Sequence, residues 1–160
     1  VLSMLDKVAV KQVTPIRDQF LSNIFLRKKK DGTYRPIINL RALNGHIPYL
    51  KFKMETLKDL KAIIREKDYM VKLDLKDAYY NLLLHQNSRK FVRFLWGGKT
   101  YEFQCLSFGL APAPRIFTKL LKVPIAILRR LKIWLLLYLD ALLIMAESET
   151  AALTAKDTTI

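Results

Sequence analysis

Two carboxylates stand where chemistry could be built. Asp74 closes the apolar run Met70-Val71-Lys72-Leu73-Asp74, and Asp140 interrupts the stretch from Trp134 to Met145, which holds no other charge. A charge at the tip of a hydrophobic strand needs compensation, either from water at a turn or from a partner. For a lone Asp the turn suffices. If the two strands are neighbours in one sheet, the carboxylates converge and can hold a divalent cation. Carboxylate oxygens of this kind favour Mg²⁺ or Mn²⁺, and two such ions about 3.5–4 Å apart activate an attacking oxygen and stabilise a leaving one, the chemistry of phosphoryl and nucleotidyl transfer.

The elements that must position these groups follow from pattern. Asn23-Ile24-Phe25-Leu26 and Tyr34-Arg35-Pro36-Ile37-Ile38-Asn39 flank Lys30-Asp31-Gly32-Thr33, a composition that predicts a hairpin with a basic arm. Leu57, Leu60, Ile63 and Ile64 recur at helical spacing, so a helix with a core-facing stripe is expected within Met54 to Lys67. Asp74 is followed by a short helical or turning segment around Lys76 to Asn81. Phe91 to Trp96 and Thr100 to Leu106 form a second hairpin across Gly97-Gly98-Lys99. Ala111 to Arg130 reads as a helix whose first turn accommodates Pro112 and Pro114 and which Pro124 would kink. Trp134 to Leu139 and Leu142 to Met145 complete a buried hairpin with Asp140 at its tip. Hairpins interleaved with helices, without regular β-α alternation, predict an α+β fold built on antiparallel sheet.

Composition narrows the partners. The 160 residues make one domain's worth of chain, with 51% hydrophobic and 11% aromatic residues, enough for a packed interior. There are 28 Lys and Arg against 14 Asp and Glu, a net charge of +14, which favours a polyanion, usually nucleic acid. Between Ala78 and Leu139 ten basic residues face one acid, Glu102. Cys105 is the only cysteine, so no internal disulfide forms and a buried, inert thiol is expected. His46 and His85 have no zinc-ligand spacing. No N-terminal stretch resembles a signal peptide, and the run Ile133 to Ala146 is too short for a membrane span and carries Asp140. The expected setting is therefore intracellular, cytoplasm or nucleus, with no membrane partner. Val1 in place of an initiator Met reads as a fragment.

These residues also carry a family resemblance. Leu73-Asp74-Leu75-Lys76-Asp77-Ala78-Tyr79-Tyr80 resembles the first catalytic motif of reverse transcriptases, and Tyr138-Leu139-Asp140-Ala141 resembles their Tyr-x-Asp-Asp turn. Phe108-Gly109-Leu110-Ala111-Pro112-Ala113-Pro114-Arg115-Ile116-Phe117 is similar to the helix that follows a glycine beneath template and nucleotide. Lys28-Lys29-Lys30-Asp31-Gly32-Thr33-Tyr34-Arg35-Pro36 with Asn39-Leu40-Arg41-Ala42-Leu43-Asn44 is similar to the fingers hairpin. Four motifs in the family's order cover about residues 23–145, with a flavour nearer to DIRS-type or long-terminal-repeat retrotransposons than to retroviruses. The resemblance implies the fingers and palm of a right-hand polymerase, an antiparallel palm sheet packed on helices, the thumb absent, and residues 1–160 as a single partial reverse transcriptase domain.

The resemblance further implies roles. Asp74 and Asp140, with the Leu75 backbone carbonyl, would bind two Mg²⁺ or Mn²⁺ ions that join a primer 3′-hydroxyl to the α-phosphate of a deoxynucleoside triphosphate. Lys29 and Arg35 would close over the triphosphate. Asp77, Ala78, Tyr79, Phe108 and Gly109 would line the nucleotide pocket, with the Tyr79 ring excluding a 2′-hydroxyl. Arg41, Arg115 and Tyr138 would contact an RNA or DNA template with its primer. Thumb and RNase H would lie in the remainder of a retroelement polyprotein. One position departs from the pattern: Ala141 stands where the family has its second turn aspartate, and without that oxygen weak or no polymerisation is expected. Smaller departures are Ser107 in place of Pro, Pro112 in place of a small polar residue, and Val123-Pro124 in inverted order. A catalytically dead, basic nucleic-acid-binding remnant is the alternative reading.

Overall fold

The computed structural model describes residues 1–28, 30, 32 and 34–160, with the backbone alone for positions 2 and 35. The chain forms two compact units, Val1–Leu50 with Tyr79–Ala113 and Lys51–Ala78 with Pro114–Ile160.

The first unit contains α1 (Leu2–Asp6), β1 (Val10–Val13), β2 (Leu21–Lys28), β3 (Tyr34–Asn39) and α2 (Arg41–Asn44). The second unit opens with α3 (Leu57–Ile63) and β4 (Tyr69–Asp74), and a 3-10 turn spans Ala78–Asn81. The first unit resumes with α4 (Gln86–Arg89), β5 (Arg93–Trp96) and β6 (Lys99–Phe103). Then come α5 (Ala113–Arg130), β7 (Trp134–Tyr138), β8 (Ala141–Ala146) and α6 (Glu149–Thr159).

Five strands of the first unit form one sheet in the order β1-β6-β5-β2-β3. The expected hairpin is β2 against β3, antiparallel from Asn23↔Asn39 to Lys28↔Tyr34. The second hairpin is β5 against β6, and β2 also runs briefly parallel to β5. Phe94, fully buried, stacks on Tyr101 with ring centroids 5.6 Å apart. Beside them, Arg93 and Glu102 face one another across the ladder, buried, with Arg93 Nε donating to Glu102 Oε2 at 2.7 Å. Gln104 and Gln19 satisfy the remaining valences of this pair. Glu102, the sole acid of the basic stretch, is thus spent on a structural ion pair. Cys105 is buried with its thiol donating to the Ala9 carbonyl, and burial pushes it up to about 11, the inert thiol expected.

The second unit is built on the antiparallel sheet β4-β8-β7. Its core joins Ile125 of α5 with Ile133, Leu135, Leu137, Leu142 and Ile144, and α6 lies against β4 and β8. β7 and β8 carry continuous apolar runs, with Leu135, Leu136 and Leu137 buried in β7 and Leu142, Ile144 and Met145 buried in β8, while Trp134 and Tyr138 at the ends of β7 stay exposed. The outer edge of β7 is closed by side chains: Glu55 Oε2 accepts from the Leu137 amide at 2.7 Å, Arg129 donates to the Leu135 carbonyl at 3.2 Å, and the two side chains pair. Charge placed on an exposed edge blocks strand addition.

Two expectations need correction. The helix expected within Met54 to Lys67 is only seven residues long, and none of them is buried, so its apolar stripe is not core. Thr56 starts it through a capping box with Asp59, and the chain leaves it at Ile64 in extended conformation. Arg65 to Asp68 then close a turn, with the Arg65 amide donating to Asp68 and Lys67 at positive φ. The helix expected from Ala111 begins at Ala113, which leaves Pro114 in its first turn, and Pro124 lies inside it. Among the described residues no helix is long and apolar enough to cross a membrane.

Candidate active site

Strand pairing in the second unit sets the two carboxylate-bearing residues at one end of one sheet. Asp74, the last residue of β4, is registered directly opposite Ala141, the first residue of β8. Asp140 is its chain neighbour, in the two-residue connection closed by the Tyr138↔Ala141 pair. The Leu75 amide donates to the Asp140 carbonyl at 2.7 Å, so the ends of β4 and β7–β8 are clasped through backbone. The connection is strained. Leu139 sits at φ 53, a left-handed conformation that costs a branched residue about 1–2 kcal/mol. Paired strands and the Leu75 clasp hold it there, and a site under such constraint is a common place for function.

Asp74 is exposed and makes an ion pair with Lys72 at 2.9 Å, and Asp140 is half-buried. An exposed pair of that kind is worth at most about 1 kcal/mol, so a cation can displace Lys72. The donors at this end are two carboxylates and backbone carbonyls, all hard oxygens. Mg²⁺ is commonly held by one or two carboxylates and completed by water and substrate phosphate, and these residues fit that arrangement. Among the described residues no three His, Cys, Asp or Glu side chains converge on a closed metal cage. Ala141 occupies the position from which a third carboxylate would face Asp74. Tyr138 is half-exposed at the end of β7.

Candidate residues of the first unit cluster around the loop after β6. Tyr79 is buried and its ring meets Phe108 with centroids 4.8 Å apart, and Tyr80 approaches the same ring at 6.1 Å. Phe108 itself is half-exposed. Gly109 adopts φ 90, and a Cβ there would meet nothing closer than 3.8 Å, so backbone conformation rather than crowding demands glycine. Ala78, at the end of the second unit, is buried, and Asp77 before it takes a left-handed conformation at φ 53. Arg41 is exposed at the start of α2. Arg115, in the first turn of α5, is half-buried, with its Nε shielded and unbonded among the described residues. Lys29 lies outside the described residues, as does the Arg35 side chain, whose backbone pairs with Arg27 in the β2–β3 hairpin.

Two residues with a structural claim on these loops escaped the sequence reading. Asn44 clamps the loop from both sides: its Nδ2 donates to the Gly109 carbonyl and its Oδ1 accepts from the Ala111 amide, each at 2.8 Å. The only signal was an Asn at the end of a motif otherwise valued for its bases. Glu55 holds the edge of the strand leading to Asp140, and an isolated acid before a helix carried no pattern that pointed there.

Comparison with known proteins bears on this geometry. The family described as "Reverse transcriptase (RNA-dependent DNA polymerase)" matches residues 27–159. The enzymatic polyprotein of Cauliflower mosaic virus (strain Strasbourg) is 25% identical over 88% of this chain, and the Gag-Pro-Pol polyprotein of Sheep pulmonary adenomatosis virus is 26% identical over 90%. The chain spans about a fifth of the first relative (21%) and less of the second (9%). The foamy viral protease-reverse transcriptase in complex with double-stranded DNA superposes with a TM-score of 0.81 at 20% identity, covering 96% of this chain and 26% of that one. The fold is therefore that of the polymerase fingers and palm. A family match across most of the chain, on a fold that pairs the motif-bearing strands, makes this protein a member of the reverse transcriptase (RNA-dependent DNA polymerase) family.

Proposed function

We propose that this chain carries the nucleotidyl-transfer site of an RNA-directed DNA polymerase, in which Asp74 and Asp140 hold the divalent cations of a two-metal reaction. The observation that carries the reading is the register of β4 on β8, which sets Asp74 across from Ala141 and beside Asp140. Two bound Mg²⁺ ions would lower the pKa of the primer hydroxyl and neutralise charge developing on the phosphate. The protein's own share is positioning. The Leu75–Asp140 backbone clasp keeps both strand ends at one depth, and the Leu75 carbonyl offers a further oxygen.

Lys29 and Arg35 fit the triphosphate by charge and by bidentate geometry. Tyr79, held by Phe108, would present its ring to the sugar, while Asp77, Ala78 and Gly109 contribute backbone and shape. Arg41, Arg115 and Tyr138 would meet template and primer, with affinity that falls as salt rises. Residues 1–160 would act as one partial domain of a longer polyprotein that supplies the thumb and RNase H, in an intracellular setting. What the relatives' names say of their enzymatic polyproteins and of bound double-stranded DNA supports nucleic acid as the partner.

With Ala141 at this position the chain is a poor catalyst. Removing one stabiliser of transition-state charge costs on the order of 10²–10³ in rate. The test is primer extension with Mg²⁺ and deoxynucleotides. Ala141→Asp should raise extension well above the parent chain, and a further Asp74→Asn should abolish it. If the restored protein, extended by a thumb and binding primer-template, incorporates nothing, the polymerase reading fails. The same departure favours a second reading, a nucleic-acid-binding remnant, which predicts salt-sensitive binding with no metal-dependent chemistry in either variant.

A further inference from the structure

Helix α5 has two apolar stripes, and the fold uses only one. Phe117, Leu121, Ile125 and Leu128 turn inward, and Ile125 anchors the core of the second unit. Ile116, Leu120, Val123 and Ile127 form a second stripe at successive spacings of four, three and four, and Leu131 extends it past the helix end. All five are exposed, from 40% at Ile116 to 67% at Val123. That spacing is the seam of a helix that packs against another helix. Exposed apolar surface on the scale of a few hundred Å², rimmed by polar groups, marks an interaction site.

Charge says what kind of partner fits. Residues 111–132 contain six basic residues and no acid. Arg129 is committed to Glu55. Lys119 and Arg130 are exposed and border the stripe, Lys119 three residues after Ile116 and four before Val123, Arg130 three after Ile127. A second copy of this helix would set bases against bases. The chain's own α6, which begins with Glu149, already lies on β4 and β8. We propose that the outer stripe of α5 docks an amphipathic helix of a partner protein, with an apolar seam against Leu120, Val123 and Ile127 and acidic residues against Lys119 and Arg130. The proposal does not depend on catalysis.

The test uses two labelled helical peptides of the length of α5, with leucine at the seam positions and either Glu or Lys along both flanks, titrated into the protein and followed by fluorescence anisotropy. The Glu-flanked peptide should bind and the Lys-flanked one should not. Leu120→Ser with Ile127→Ser should weaken binding by about tenfold or more, as loss of central anchors does. Both positions are exposed, and circular dichroism verifies that the variant is folded. Lys119→Glu with Arg130→Glu should transfer binding to the Lys-flanked peptide. Equal binding of both peptides, or indifference to these substitutions, overturns the proposal. So does a concentration-dependent dimer abolished by Leu120→Ser with Ile127→Ser, which would assign the face to a second copy.

Discussion

Replacing Ala141 by Asp puts a third carboxylate directly across the sheet from Asp74, and the register fixes how strongly the two must interact. Directly opposed residues of an antiparallel pair have Cα atoms about 4.5–5.5 Å apart. At ~5 Å two unit charges repel by about 3 kcal/mol at an effective dielectric of 20 and by about 0.8 kcal/mol in water. Asp74 is largely exposed, so the lower figure applies, and the metal-free variant should lose about 1 kcal/mol. For a chain of this size that lowers the melting temperature by roughly 2–4 °C. Divalent cation reverses the ordering, because ions that bind only the folded form stabilise it by about 2.7 kcal/mol at a hundredfold excess over Kd. The assay is thermal melting at low ionic strength, where screening is weak, with and without MnCl₂. The variant should melt below the parent without metal and above it with metal. Equal melting temperatures without metal, or equal gains from Mn²⁺, would refute the reasoning that Asp74 and position 141 face one another.

Other consequences concern the first unit. Asn44→Ala removes both hydrogen bonds that clamp the Gly109 loop and should cost about 1–3 kcal/mol in urea denaturation, with faster amide exchange at Ala111. Ser107→Ala removes a hydroxyl that is buried without a partner among the described residues, and should raise stability by about 1 kcal/mol in the same assay. The Cys105 thiol, raised from 9.0 to about 11 by burial, stays protonated and should resist alkylation at pH 8 in the folded protein. Because the folded form holds that proton more tightly, the contribution is complete below pH 9 and is lost between pH 9 and 11, which a pH series of denaturation curves for wild type and Cys105→Ala reads directly.

What could be read from the sequence was whatever repeats or alternates. The continuous apolar runs gave β7 and β8, and the glycines at 97 and 98 marked the β5–β6 turn, where both have positive φ. Periodicity misled at α3, because Ile64 fits the helical stripe while Thr56 and the Arg65–Asp68 turn confine the helix to seven residues. β1 is four residues long and is stabilised by pairing with β6, a long-range contact with no local signature. α6 carried a start signal in Ser148, whose side chain accepts from the Ala151 amide, but little amphipathic pattern to extend it. At the site, residue types at 74 and 140 suggested the chemistry. Their placement at one end of the sheet depended on register, which is set by pairing of Asp74 with Ala141, a sequence separation of 67. Asn44 acts through two hydrogen bonds to backbone and Glu55 through one, and no spacing rule singles out such residues.

The central claim is that Asp74 and Asp140 share one cation at the ends of β4 and β7. Paramagnetic broadening of backbone amide resonances by substoichiometric Mn²⁺ tests it most directly. The account predicts selective loss of signal at Leu73 to Lys76 and Tyr138 to Leu142, removed by Asp74→Asn and by Asp140→Asn alike. Broadening centred elsewhere, or broadening that survives either substitution, would contradict it.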